Sequence, residues 1–76
     1  MYSIYRNGKL VGSSSDIEYV VEFTKLMIDK AIGTEKDSRK LKQLYEDKLT
    51  VNSPKVGINQ LQHILERLGY KLEVDI

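Results

Sequence analysis

The carboxy-terminal stretch, residues 70–76, constrains the fold more than any other. Leu72, Val74 and Ile76 alternate there with Lys71, Glu73 and Asp75, after Tyr70. A period of two is the signature of a strand with one buried face. So short a strand is unstable alone in water, so it must pair within the chain or with another subunit. The other end of the chain offers a partner. Asn7-Gly8 is the strongest short hairpin signal, because a type I′ turn needs positive φ at both central positions. Closing residues 1–13 on that turn pairs Arg6 with Lys9, Tyr5 with Leu10 and Ile4 with Val11. Tyr2, Ile4 and Val11 then share one face, and Tyr5 and Leu10 the other. The simplest closure is a three-stranded sheet, hairpin plus final strand, covered on one side by helices.

Three helices are expected between the hairpin and the strand. Ser13-Ser14-Ser15 is a polar joint, and Ser15 with Glu18 matches the capping box S-x-x-E. The helix that follows runs to about Ala31-Ile32, with Gly33 as its C′ stop. Ile17, Val20, Val21, Thr24, Met27, Ile28 and Ala31 make one broad apolar stripe on it. Tyr19, Phe23 and Leu26 make a second beside the first, leaving Glu18, Glu22, Lys25 and Asp29 as the polar strip. A helix that apolar is either sandwiched within the fold or offers a surface to a partner. Tyr19, Phe23 and Leu26 are therefore candidate partner or dimer contacts.

Thr34 is expected to cap a second helix from Glu35 to about Lys48, with a thin apolar face of Leu41, Leu44, Tyr45 and then Leu49. Residues 50–57 read as a loop, since the residue before Pro54 is pushed to extended backbone. A third helix spans about Ile58 to Leu68, with Ile58, Leu61, Ile64, Leu65 and Leu68 on one face and Gly69 as the stop. The fold class is α+β in a single domain, residues 1–76. It is an amino-terminal β-hairpin, three helices, and a carboxy-terminal strand completing a small antiparallel sheet.

Composition narrows the function. With no Cys and one His, the chain has no disulfide and no ligand set for zinc, so no metal or cofactor is expected. The absence of Cys fits a reducing, cytoplasmic setting. The longest strictly apolar runs are Tyr19-Val20-Val21 and Leu26-Met27-Ile28, too short for a membrane span. There is no nucleophile elbow and no glycine-rich phosphate loop, so neither an enzyme nor a small-molecule substrate is expected. His63, on the polar side of the third helix with Asn59 and Glu66, reads as a surface residue.

The net charge of +1 conceals a segregation. Residues 1–15 carry +2, residues 16–33 carry −2, residues 34–57 carry +2 and residues 58–76 carry −1. Lys36, Arg39, Lys40 and Lys42 crowd the first half of the second helix, against Glu35 and Asp37. Cations there oppose the helix macrodipole, an arrangement that suits a bound anion such as DNA phosphate. Lys36, Arg39, Lys40 and Gln43 share the side away from Leu41, Leu44 and Tyr45. The same residues also read as a solvated face, balanced by Glu35, Asp37 and a Lys42–Glu46 pair at i, i+4.

Ser53-Pro54, followed by Ile58-Asn59-Gln60-Leu61-Gln62-His63-Ile64-Leu65-Glu66-Arg67-Leu68-Gly69-Tyr70-Lys71-Leu72-Glu73-Val74, resembles the end of lambda-repressor-like (Xre-type) helix-turn-helix proteins. It is particularly similar to small antitoxin regulators. The resemblance covers about a third of the chain. It implies operator DNA bound by a dimer, and in some members a protein partner as well. Under it Gly33 would be the turn glycine, but Asp29 stands where a small residue belongs and Arg39 where an apolar one belongs. Two functions follow as expectations. One is a small homodimeric DNA-binding regulator of phage or mobile-element type, with Lys36, Arg39, Lys40 and Lys42 on phosphates and Gln43 or Arg39 at base edges. The other is a phage-type inhibitor or accessory protein that binds a host protein through Tyr19, Phe23 and Leu26.

Overall fold

The computed structural model describes residues 1–75. Its elements run β1 (Tyr2–Arg6), β2 (Lys9–Ser14), α1 (Ile17–Thr34), α2 (Ser38–Asn52), α3 (Ile58–Arg67) and β3 (Lys71–Val74). The sheet is antiparallel in the order β2-β1-β3, so the final strand does pair with the hairpin. Ile76, expected on the buried face of that strand, lies outside the described residues. No helix among those described is long and apolar enough to cross a membrane.

The hairpin closes as its turn residues dictate. Asn7 (φ 53°) and Gly8 (φ 79°) both adopt positive φ, and Arg6 pairs with Lys9 and Tyr5 with Leu10. One position further the expected register fails: Ile4 faces Gly12, not Val11, because a bulge lies opposite the Ile4/Tyr5 step. The cause is tertiary. Tyr19 of α1 lies over Gly12, and a Cβ at residue 12 would overlap its hydroxyl. The bulge puts the residue without a side chain beneath the ring and turns Val11 out, where it is 45% exposed. Val11 therefore does not share the inner face of Tyr2 and Ile4. On the opposite edge Ile4 pairs with Leu72 and Tyr2 with Val74. Asp75 N–H and the Met1 carbonyl, with the amino-terminal ammonium and the Asp75 carbonyl, extend that seam at 2.8 and 2.7 Å.

Helix ends differ by a few residues from expectation, each for a local reason. Asp16, not Ser15, caps α1; its carboxylate accepts from Glu18 N–H at 3.0 Å. Ser14 Oγ in turn accepts from Asp16 N–H. Gly33 is not a stop, since its φ is not positive and α1 continues through Thr34. Thr34 closes α1 rather than capping α2, donating its hydroxyl to the carbonyls of Lys30 and Ala31. Asp37 caps α2, accepting from Arg39 N–H at 2.9 Å. At the far end α2 runs through Asn52 and stops at Ser53, which is extended before Pro54. Only residues 53–57 remain as a loop. Helix α3 ends as foreseen: Gly69 at φ 94° lets Gly69 N–H reach the Glu66 carbonyl and Tyr70 N–H reach that of Leu65.

The core draws on every element except β2. Ile4, Val20, Val21, Ile28, Val51, Leu61, Ile64, Leu65 and Leu72 are buried, with Tyr2, Phe23, Leu68 and Tyr70 among those packed around them. Helix α1 packs on β2 and α3 on β3, while α2 rests on α1 and α3 instead of on the sheet. The expected inner face of α2 is rotated. Tyr45 and Leu49 point outward, 53% and 75% exposed, while Asp47 and Val51 are buried and Leu41 and Leu44 half-buried. Val51 is thus the one buried apolar anchor of α2. Val51→Ala is expected to raise amide exchange throughout α2 while leaving the amides of β1 and β3 close to global protection, a pattern readable by hydrogen exchange. Uniform loss across all elements would instead mark Val51 as part of a single cooperative core.

Candidate functional site

The cations singled out in the second helix gather at one end of the molecule, around the link between α1 and α2. Lys36 lies in that link, and Arg39, Lys40 and Lys42 lie in the first two turns of α2; all four are exposed. The two acids beside them are turned to the backbone. Glu35 accepts from Asp37 N–H at 3.3 Å, and Asp37 holds the cap of α2. Among the described residues no ion pair joins Lys36, Arg39, Lys40 or Lys42 to a carboxylate. The Lys42–Glu46 pair that spacing allows is absent from that set.

Other cations come to the same end from distant parts of the chain. Arg6, beside the hairpin turn, and Lys30, near the end of α1, line a shallow hollow with Thr34 and Tyr70. Lys40 and Arg67 line a second hollow with Glu35, Gln43 and Leu44, and both hollows share Ala31 and Leu68. Arg6 is held in place: its guanidinium stacks 5.3 Å from the Tyr70 ring centroid and donates to the Tyr70 hydroxyl. Tyr70 donates to Met27 Sδ at 3.1 Å. The acids Asp16, Glu18 and Glu22 stand at the opposite end of α1. The charge segregation of the sequence is therefore also a segregation in space.

Gln43 is exposed, but its amide is engaged within the chain. Its Nε2 donates to Asp47 Oδ1 at 3.0 Å, and Asp47, 4% exposed, is ion-paired with Arg67 of α3. This cluster clamps α2 to α3 from residues 20 apart in sequence. Spacing alone does not reveal it: Leu44, Asp47 and Val51 share one face of α2, but the cation that a buried carboxylate there requires comes from another helix.

The second apolar stripe of α1 divides. Phe23 is half-buried and meets Tyr70 edge-on, with centroids 5.3 Å apart at 89°. Tyr19 tilts against Phe23 and covers Gly12. Leu26 alone points away from the fold, 63% exposed. The structure thus does not bring Tyr19, Phe23 and Leu26 together on one free surface. His63 is exposed and lines an open depression with Gln62, Glu66 and Lys71. Among the described residues no cluster of three His, Asp or Glu side chains could hold a metal ion.

The fold and this end define a small α+β protein with an exposed cationic surface. No protein-family model, curated protein or solved structure matches the chain.

Proposed function

We propose that the chain is a small cytoplasmic, non-enzymatic DNA-binding regulator of phage or mobile-element type, and that it meets duplex DNA with its basic end. One observation carries the reading. Lys36 just before the cap and Arg39, Lys40 and Lys42 in the first turns of α2 have no carboxylate paired to them among the described residues, while the neighbouring acids Glu35 and Asp37 accept from backbone amides. Cations at that position oppose the macrodipole and repel one another. Phosphate oxygens relieve both effects. Lys36, Lys40 and Lys42 serve as phosphate contacts. Arg39 is the better candidate for a base edge, because Gln43 has its amide committed to Asp47. Arg6 and Lys30 extend the surface for a backbone passing over the α1–α2 link.

The test is fluorescence anisotropy of a labelled random duplex at low salt, repeated over a salt series. The three phosphate contacts of Lys36, Lys40 and Lys42 give a log–log slope of about −2.7. A chain that leaves the anisotropy of the duplex unchanged at low salt sinks the proposal.

A further inference from the structure

Alternation along β1 puts Arg6 on the same side of the sheet as Tyr2 and Ile4, the side the helices cover. The seam with β3 ends where Tyr5 pairs with Lys71, so Arg6 comes beside Tyr70 just past it. Among the described residues no ion pair joins Arg6 to a carboxylate. Its partner is an aromatic ring instead. The guanidinium lies 5.3 Å from the Tyr70 ring centroid, and Nη1 donates to the Tyr70 hydroxyl at 3.2 Å. Stacking of this kind holds a guanidinium without neutralising it, and one hydrogen bond leaves its other donors free.

Tyr70 is itself fixed from three directions. The glycine stop of α3 returns its N–H to the Leu65 carbonyl at 2.8 Å. Phe23 meets its ring edge-on, and its hydroxyl donates to Met27 Sδ. Nor is Arg6 the cap of α1, beside whose end it stands. The Lys30 and Ala31 carbonyls accept from the Thr34 hydroxyl, and that of Ala31 also from Glu35 N–H. Residues of β1, α1 and the end of α3 thus combine to hold one exposed cation that keeps its charge.

We infer that Tyr70 is a positioning residue for duplex DNA, holding Arg6 at the basic end as a pre-ordered contact for one backbone phosphate. The inference rests on the DNA-binding reading above and adds to it a contact and the support of that contact. Fixing a long side chain costs rotamer freedom, and Tyr70 shifts that cost from binding to folding. Counted with Lys36, Lys40 and Lys42, Arg6 brings the salt slope from about −2.7 to about −3.6.

The anisotropy series, run on Arg6→Gln, Tyr70→Phe and the double variant, separates charge from position. Arg6→Gln is expected to lower duplex affinity about eightfold at 0.1 M salt and to make the slope shallower by about 0.9. Tyr70→Phe keeps the ring and its contact with Phe23 but loses both hydroxyl hydrogen bonds, so Arg6 stays charged and swings free. Affinity is expected to fall about threefold with the slope unchanged. The double variant is expected to bind as Arg6→Gln does, because Tyr70 acts through Arg6. A Tyr70→Phe chain that binds like the parent overturns the inference. So does a double variant that is threefold weaker than Arg6→Gln, the mark of a structural role alone. Either result leaves the DNA-binding reading standing, whereas a parent chain that does not bind duplex overturns both.

Discussion

Leu61→Ala is expected to remove a large part, and at the upper end all, of the stability of the fold. Leu61 is 0% exposed and sits on the face of α3 that meets the rest of the core. Truncating a fully buried Leu removes its transfer free energy and leaves a cavity, together about 2–5 kcal/mol. A 76-residue chain has on the order of 5 kcal/mol in all. No disulfide supplements the packing. The control is the same substitution at Leu49, which is 75% exposed and is expected to cost within about 0.5 kcal/mol. Urea titration followed by far-UV circular dichroism, at a concentration where the chain is monomeric, compares the two. Equal midpoints would mean that Leu61 is not the core residue its burial makes it.

That contrast also shows what the sequence could and could not reveal. Both residues are Leu on amphipathic helices, and spacing puts both on an inner face. For Leu61 the spacing is enough, because α3 has a pure apolar stripe and a glycine stop, local features that the backbone reads out directly. For Leu49 it is not, because the inner face of α2 includes Asp47. An acid is buried there only because Arg67 arrives from another helix, and no local pattern announces that. The hairpin behaves the same way. Asn7-Gly8 fixes the turn and the first two pairs by its own dihedral preference. The register beyond it depends on Tyr19 needing the space above Gly12, a contact between residues that only the folded chain makes neighbours. The cations of the candidate site were legible as residue types. Whether carboxylates neutralise them was not, since spacing permits a Lys42–Glu46 pair but does not require one.

Replacing Arg39, Lys40 and Lys42 together by Gln is expected to separate binding from stability. Removing two phosphate contacts and the base-edge Arg39 lowers affinity for duplex DNA by about a hundredfold or more near 0.1 M salt, and makes the salt slope shallower by about two. The fold is expected to move the other way. All three side chains are exposed and unpaired among the described residues, so no packing or ion pair is lost. Taking cations from the amino-terminal turns relieves their opposition to the macrodipole, worth about 0.3 kcal/mol or more for each charge at low ionic strength. Gln keeps comparable helix propensity, so little offsets that gain. Lys71→Gln is the matched control. Lys71 is exposed on the sheet and already paired with Glu73, so its loss leaves the affinity for DNA where it was. A solvated face with no task would show no binding change in the triple variant. A helix that melts later while the duplex is released earlier identifies these cations as placed for an anion, since their position is unfavourable to the free protein.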